Sequence, residues 1–213
     1  MPQHHGRTVC PGGVVAWGVA EMPLPAEPES GDLFVVETRS DGVLIAVIDG
    51  VGHGSDAAAA AKAAAAVLRA HVSDSPVSLV LRCHDALKRS RGVTMTVALL
   101  DSCDRTLTWL GVGNVEGVLV HEDGTERESP ERALLRGGVV GYRLPPRLRA
   151  EVVTLKPLDT LIVATDGIRP DFADGIALNG DPEGIAAGIM ARHRSGVDDA
   201  LVMVARYLGG EAP

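Results

Sequence analysis

Val43-Leu44-Ile45-Ala46-Val47-Ile48-Asp49-Gly50-Val51-Gly52-His53-Gly54-Ser55-Asp56 is the stretch on which the reading of this chain turns. Six apolar residues in a row, without polar alternation, predict a strand buried on both faces. Asp49-Gly50 ends it, a glycine-rich turn follows, and the alanine-rich run at 57–66 predicts a helix starting near Ser55. Ser55 is a natural N-cap, and Asp56 sits where the positive end of the helix dipole favours a carboxylate. Alanine is the best helix former, and its small side chain permits tight packing against a sheet.

Residues 14–20 and 33–38 read as strands, the second joined to 43–48 by a turn at Ser40-Asp41-Gly42. Pro23, Pro25 and Pro28 make 22–30 a rigid, non-helical connector inside one domain. A second helix begins at Ser75-Pro76 with Val80, Cys83 and Leu87 as its apolar stripe, and Gly92 is placed to end it. Residues 93–100 and 105–110 form a hairpin. Strands at 116–121 and near 150–155 flank a Gly/Pro-rich segment, 137–146. A short buried strand at 161–164, a helix capped by Asp181-Pro182-Glu183 with Ile185 and Ile189 inward, and a last strand at 201–205 complete the pattern. Strand pairs follow one another through hairpin turns, and regular βαβ alternation is missing. The expected class is therefore α+β, an antiparallel sandwich with helices covering its sheets, not a doubly wound parallel sheet.

The 213 residues favour one domain, 1–213, with enough length to bury a core unaided. Aromatics are only 3%, so the core is expected to be Val, Leu, Ile and Ala, and stacking platforms for single-stranded nucleic acid are not expected. Lys plus Arg number 20 against 28 Asp plus Glu, a net charge of −8 that argues against binding a phosphate backbone. The acidity reads either as solubility or as carboxylates gathered around cations. Cys10, Cys83 and Cys103 form no C-x-x-C pair, which suits partly buried thiols in a reducing compartment. No apolar run approaches the ~20 residues that span a bilayer, and residues 1–6 lack a signal-peptide pattern. The expectation is a cytoplasmic protein with neither a membrane nor a nucleic-acid partner. His4-His5, at a disordered-looking terminus, is weak evidence for a metal site, and His84 and His121 look like surface or helix-face residues.

Four places share one design. Asp32 opens a strand after Ser30-Gly31, Asp49 closes the buried strand before Gly50, Asp166 follows the strand at 161–164 and precedes Gly167, and Asp198-Asp199 precedes the last strand. Aspartate is a poor strand residue, and burying its charge unpaired costs several kcal/mol. Any one of the four also reads as Asp-Gly turn chemistry. Four together, if the strands converge at one end of a sandwich, would repel one another severely. Hard divalent ions such as Mg²⁺ or Mn²⁺ would relieve that repulsion. Gly50, lacking a side chain, would let its carbonyl come close to such an ion.

Glu29-Ser30-Gly31-Asp32, Asp49-Gly50-Val51-Gly52-His53-Gly54, Thr165-Asp166-Gly167 and Asp198-Asp199 resemble, in order and spacing, the motifs of the PPM-type (protein phosphatase 2C-like) metal-dependent phosphatases, and within them the bacterial SpoIIE-like branch. The resemblance runs from about Ser30 to Val204. It implies an αββα sandwich, two antiparallel sheets flanked by helices, carrying two Mn²⁺ or Mg²⁺ ions. The implied reaction is hydrolysis of phosphoserine or phosphothreonine in proteins by a water held between the ions, with no protein nucleophile. It implies that Asp49 bridges both metals, the Gly50 carbonyl binds one, Asp166 and Asp198 bind the other, Asp32 belongs to the outer part of the site, and Asp199 supports the ligands. His53 either donates a proton to the leaving oxygen or, as the heavier reading, orients the turn or caps the alanine-rich helix. No Cys-x5-Arg loop is present, and Ile48-Asp49-Gly50-Val51 lacks the Asp-x-Asp nucleophile of haloacid-dehalogenase-type phosphatases.

A first motif as early as Ser30 leaves no room for a preceding sensory module. Gly113-Asn114-Val115 stands where other members of the branch carry an Ala-Gly-His element. Both features resemble the stand-alone feedback phosphatases of the stressosome, whose implied partners are phosphorylated STAS-domain proteins. The alternatives are a partner-activated phosphatase acting on an anti-sigma-factor antagonist and a metal-binding docking module without turnover.

Overall fold

The computed structural model describes residues 3–10, 12–25, 27, 29–121, 130–176 and 178–210. Pro28 of the proline-rich connector lies outside them. One sheet has the order β1 (Gln3–Cys10), β2 (Gly13–Met22), β12 (Ala200–Tyr207), β11 (Thr160–Ala164), β7 (Glu116–Val120), β8 (Glu131–Arg132). The other runs β10 (Glu151–Thr154), β6 (Thr106–Val112), β5 (Val93–Asp101), β4 (Gly42–Gly50), β3 (Asp32–Thr38). A two-residue strand, β9 (Leu135–Arg136), pairs in parallel with β6, and the other strand pairs are antiparallel. Helices α1 (Ser55–Ala70) and α2 (Pro76–Ala86) cover the second sheet, and α3 (Pro182–His193) covers the first. The result is the expected αββα sandwich.

The period of two along each strand explains why three cores form. In β4, Val43, Ile45 and Val47 face the space between the sheets, whereas Leu44, Ala46 and Ile48 face α1 and α2. In β11 and β12, Leu161, Val163, Leu201 and Met203 enter the inter-sheet core, and Ile162, Val202 and Val204 meet Ile185 and Ile189 of α3. With both faces covered by apolar neighbours, β4 carries the unbroken apolar run at 43–48. Alanine on α1 has a specific consequence: a Cβ on Gly50 would stand 2.2 Å from the Ala57 carbonyl oxygen. Helix and strand are in backbone contact there, and only glycine fits.

Several expectations need correction. Ser55 is not the N-cap. Gly54 holds that position at φ 77°, without a side-chain cap, and Ser55 is already helical. The chain turns into α1 through the left-handed region at Gly52 and Gly54, which suits glycine and not serine. Helix α2 starts as expected, Ser75 accepting the Ser78 N–H at 3.2 Å, but it ends at Ala86, six residues before Gly92. His4 and His5 lie in β1, an edge strand held by backbone pairing with β2; its mostly exposed side chains hide it from any hydrophobic pattern. His121 is not a surface residue, because Asp159 and Glu131 enclose its ring at 2.8 and 3.1 Å. Cys10 and Cys83 are buried, but Cys103 is exposed in the β5–β6 turn. No helix among the described residues is long and apolar enough to cross a membrane.

Candidate active site

Register brings the acidic residues to one end of the sandwich. Asp32 at the start of β3 pairs directly with Asp49 near the end of β4, and Asp49 pairs on its other side with Thr94 of β5. On the facing sheet, β11 runs out at Ala164 into Thr165-Asp166, and its antiparallel partner β12 starts just after Asp198-Asp199. A hydrogen bond joins the two sheets at this point: the Thr165 hydroxyl donates to Asp32 Oδ2 at 2.7 Å.

Asp199 is buried, and its two oxygens accept the Leu24 and Gly31 amides, each at 2.7 Å. It therefore fastens the proline-rich connector and the residue before Asp32 to the entry of β12. Gly31 in turn accepts the Gly50 amide through its carbonyl at 3.1 Å. A Cβ on Gly167 would lie 1.9 Å from the Asp199 carbonyl oxygen, so the Asp166-Gly167 turn packs backbone to backbone on this clamp.

Asp49 is the electrostatic centre, since it repels each of the other four carboxylates. Burial, then Asp166 and Asp198, push its pKa up to about 7. Asp32 is held well above the ordinary carboxylate range by burial first and Asp49 second, against a lowering hydrogen bond from Thr165. Asp166 is raised by crowding from the protein and by Asp198, and Asn114 opposes this.

Sequence reasoning missed Thr94 here, and it singled out Asn114 only within Gly113-Asn114-Val115, without a place in the site. The Thr94 hydroxyl lies 2.5 Å from Asn114 Oδ1 and 3.3 Å from Asp49 Oδ2, and the Asn114 amide donates to Asp166 Oδ2 at 2.6 Å. A polar chain thus links Asp49 to Asp166 across the two sheets. Thr94 could have been found as the first polar residue of an apolar strand. His53 is exposed, with Nδ1 2.6 Å from Glu27 Oε1. That contact ties the glycine-rich turn to the proline-rich connector.

Among the described residues no three His, Cys, Asp or Glu side chains stand close enough together, as placed, to hold a metal ion. The carboxylates form an open acidic rim instead. Its donors are all oxygen, and both its charge and its burial would be relieved by a hard divalent cation, so Asp32, Asp49, the Gly50 carbonyl, Asp166 and Asp198 are a donor set that suits Mg²⁺ or Mn²⁺. Residues 39–207 match the family model described as "Stage II sporulation protein E (SpoIIE)". The chain belongs to the SpoIIE family of PP2C-like phosphatase domains. Asp32 lies ahead of the matched span and is placed in the rim by its register with Asp49 and its hydrogen bond from Thr165.

This SpoIIE-family chain is 27% identical over 170 residues to the phosphoserine phosphatase RsbX of Bacillus subtilis, covering 79% of this chain and 83% of that protein. A crystal structure of RsbX in complex with magnesium superposes with a TM-score of 0.82 at 22% identity, over 96% of this chain and 100% of that one. A structure described under "The bacterial stressosome: a modular system that has been adapted to control secondary messenger signaling" gives a TM-score of 0.81 at 24% identity, covering 90% and 99%. At these identities the superpositions speak for the fold.

Proposed function

We propose that this chain is a metal-dependent protein serine/threonine phosphatase whose substrates are phosphorylated STAS-domain proteins of a stressosome. The observation that carries the chemistry is the Asp49 carboxyl, kept at a strand end against four like charges, with no Lys or Arg among the described residues lowering its pKa. Family membership and the likeness to a phosphoserine phosphatase support the reaction class. The stressosome context of a structural neighbour supports the choice of substrate.

In this reading Asp49 would serve two divalent ions, the Gly50 carbonyl would help to hold one, and Asp166 and Asp198 would hold the other, with Asp32 at the outer edge. Two divalent ions bound there would supply an activated water and neutralise phosphoryl charge. The remaining work falls to the chain itself. Asp199, already committed to two amides, keeps the connector and the β12 entry in register and is not a ligand. Thr94 and Asn114 fix the direction of Asp166. His53, held by Glu27, orients the glycine-rich turn and leaves the proton transfer to water.

Incubation with Mn²⁺ and phosphorylated STAS proteins, followed by mass, tests both parts. Loss of one phosphate per site is expected. Hydrolysis of an aryl phosphate without loss from the STAS proteins would leave the chemistry standing and remove the substrate. Turnover that persists in excess chelator would remove the metal-dependent mechanism.

A further inference from the structure

Between Arg132 and Glu151 the sequence carries Arg136, Arg143, Arg147 and Arg149 and no Asp or Glu, in a chain of net charge −8. Arg132 pairs with Glu116 and Asp174. Among the described residues none of the other four meets a carboxylate, and the Nε of Arg136 is buried without a partner. Arg143, Arg147 and Arg149 are exposed. Four unneutralised arginines in one segment of an acidic protein are not explained by folding, which is better served by pairing or dispersing them.

Their placement is specific. The Arg136 carbonyl accepts the Gly113 amide at 2.9 Å, so β9 abuts the turn that carries Asn114. Val140 exchanges two backbone hydrogen bonds with Val93, the residue before Thr94. The arginine segment therefore runs outward from the mouth of the acidic rim. Two adjoining surface grooves of about 460 and 600 Å³ share Leu134 and Arg136. Arg147 lines one with Pro145 and Pro146, and Arg149 lines the other. Glu151 also reaches the second groove, where its carboxylate accepts the Leu134 amide at 3.4 Å.

We propose that this arginine-lined surface docks an acidic segment flanking the phosphorylated residue of the protein substrate; the inference rests on the phosphatase reading above. Charge complementarity selects the occupant. Carboxylate side chains match guanidinium groups, and the apolar Leu134, 53% exposed, together with the prolines offers contact to peptide methylenes. Nucleic acid is disfavoured because its backbone would run on into the carboxylates of the rim.

The test uses a phosphoserine dodecapeptide with glutamates on both flanks, its glutamine counterpart, and an aryl phosphate, all with Mn²⁺. The glutamate peptide is expected to have kcat/KM about three- to tenfold higher than the glutamine peptide, from two or three rim pairs, and the preference should shrink as salt rises. In Arg147→Gln/Arg149→Gln, checked for folding by circular dichroism, the ratio of glutamate-peptide to aryl-phosphate turnover should fall to that of the glutamine peptide. Equal use of the two peptides by the wild type, or a preference that survives in the double variant, would overturn the proposal. Fluorescence anisotropy of the labelled peptides reads the surface independently of turnover. If no phosphate is released from any substrate, the phosphatase reading fails, while tighter binding of the glutamate peptide still supports the surface. Tighter binding of a single-stranded oligonucleotide than of the glutamate peptide at physiological salt would overturn the proposal.

Discussion

At Asp49 burial and like charge act on a single carboxyl, and they raise its pKa from 3.8 to about 7. The folded, metal-free protein therefore keeps a proton that the unfolded chain gives up. Between about pH 4 and 7 the native state binds more protons than the unfolded one, so stability falls as pH rises through that window. Full ionisation costs on the order of 4 kcal/mol from this residue, and Asp32 and Asp166 act in the same direction. Thermal melts in chelator should give a lower Tm at pH 8 than at pH 5.5; an unchanged or rising Tm would contradict the electrostatic picture. Asp49→Asn should flatten that dependence and raise the metal-free Tm at pH 8. The same substitution should lower aryl-phosphate turnover by on the order of a hundredfold or more, read in a Mn²⁺-saturated assay. His53→Ala, by contrast, should cost less than about tenfold in kcat, because its ring holds a turn and lies outside the carboxylate cluster. A loss as deep as that of Asp49→Asn would give His53 the proton-transfer role instead.

Elements in this fold meet at backbone distance, and glycine marks the places. A Cβ on Gly18 of β2 would come within 2.3 Å of the Glu183 amide nitrogen at the start of α3. Nothing flexible can yield there. Gly18→Ala should therefore push α3 off the sheet and cost about 1–3 kcal/mol, a fall in Tm of roughly 2–4 °C for each kcal/mol. Aryl-phosphate kcat below the melting range should stay near wild type, since α3 covers the face of the sheet away from the rim. The N-cap of the same helix, Asp181, accepts the Gly184 amide at 2.7 Å. Asp181→Ala should cost about 1 kcal/mol, measured by urea unfolding, and Asp181→Asn should recover most of it.

For the whole molecule, the sandwich works as a frame that forces carboxylates together, with a cation as the natural relief. Binding to the native state alone stabilises by about 2.7 kcal/mol when the ion is at 100 times its Kd. Saturating Mg²⁺ or Mn²⁺ should thus raise Tm by about 5 °C or more at pH 8, and chelator should reverse it. The rise should be smaller in Asp49→Asn and Asp166→Asn, because fewer carboxylates then await neutralisation. Sodium chloride at matched ionic strength separates a specific site from general screening: an equal rise in sodium chloride would place the effect in screening.

The linear chain determined more than its composition suggests. The unbroken run at 43–48 announced a strand with both faces covered, the hairpin spacing excluded a parallel sheet, and Ser75 and Asp181 marked two helix starts by local hydrogen bonding that needs no tertiary partner. The strand-end aspartates were visible because a charged residue beside a buried strand violates the apolar pattern around it. Other features exist only once distant segments meet. The pairing of Asp32 with Asp49 is a matter of register, the clamp of Asp199 on Leu24 and Gly31 spans most of the chain, and the Thr94–Asn114–Asp166 link crosses from one sheet to the other. The enclosure of His121 by Asp159 was hidden for the same reason, whereas β1 was hidden because its mostly exposed side chains leave no hydrophobic pattern. A hydrogen bond or an ion pair is set by atoms a few ångströms apart in space, whereas hydrophobic period and capping are written in neighbours along the chain.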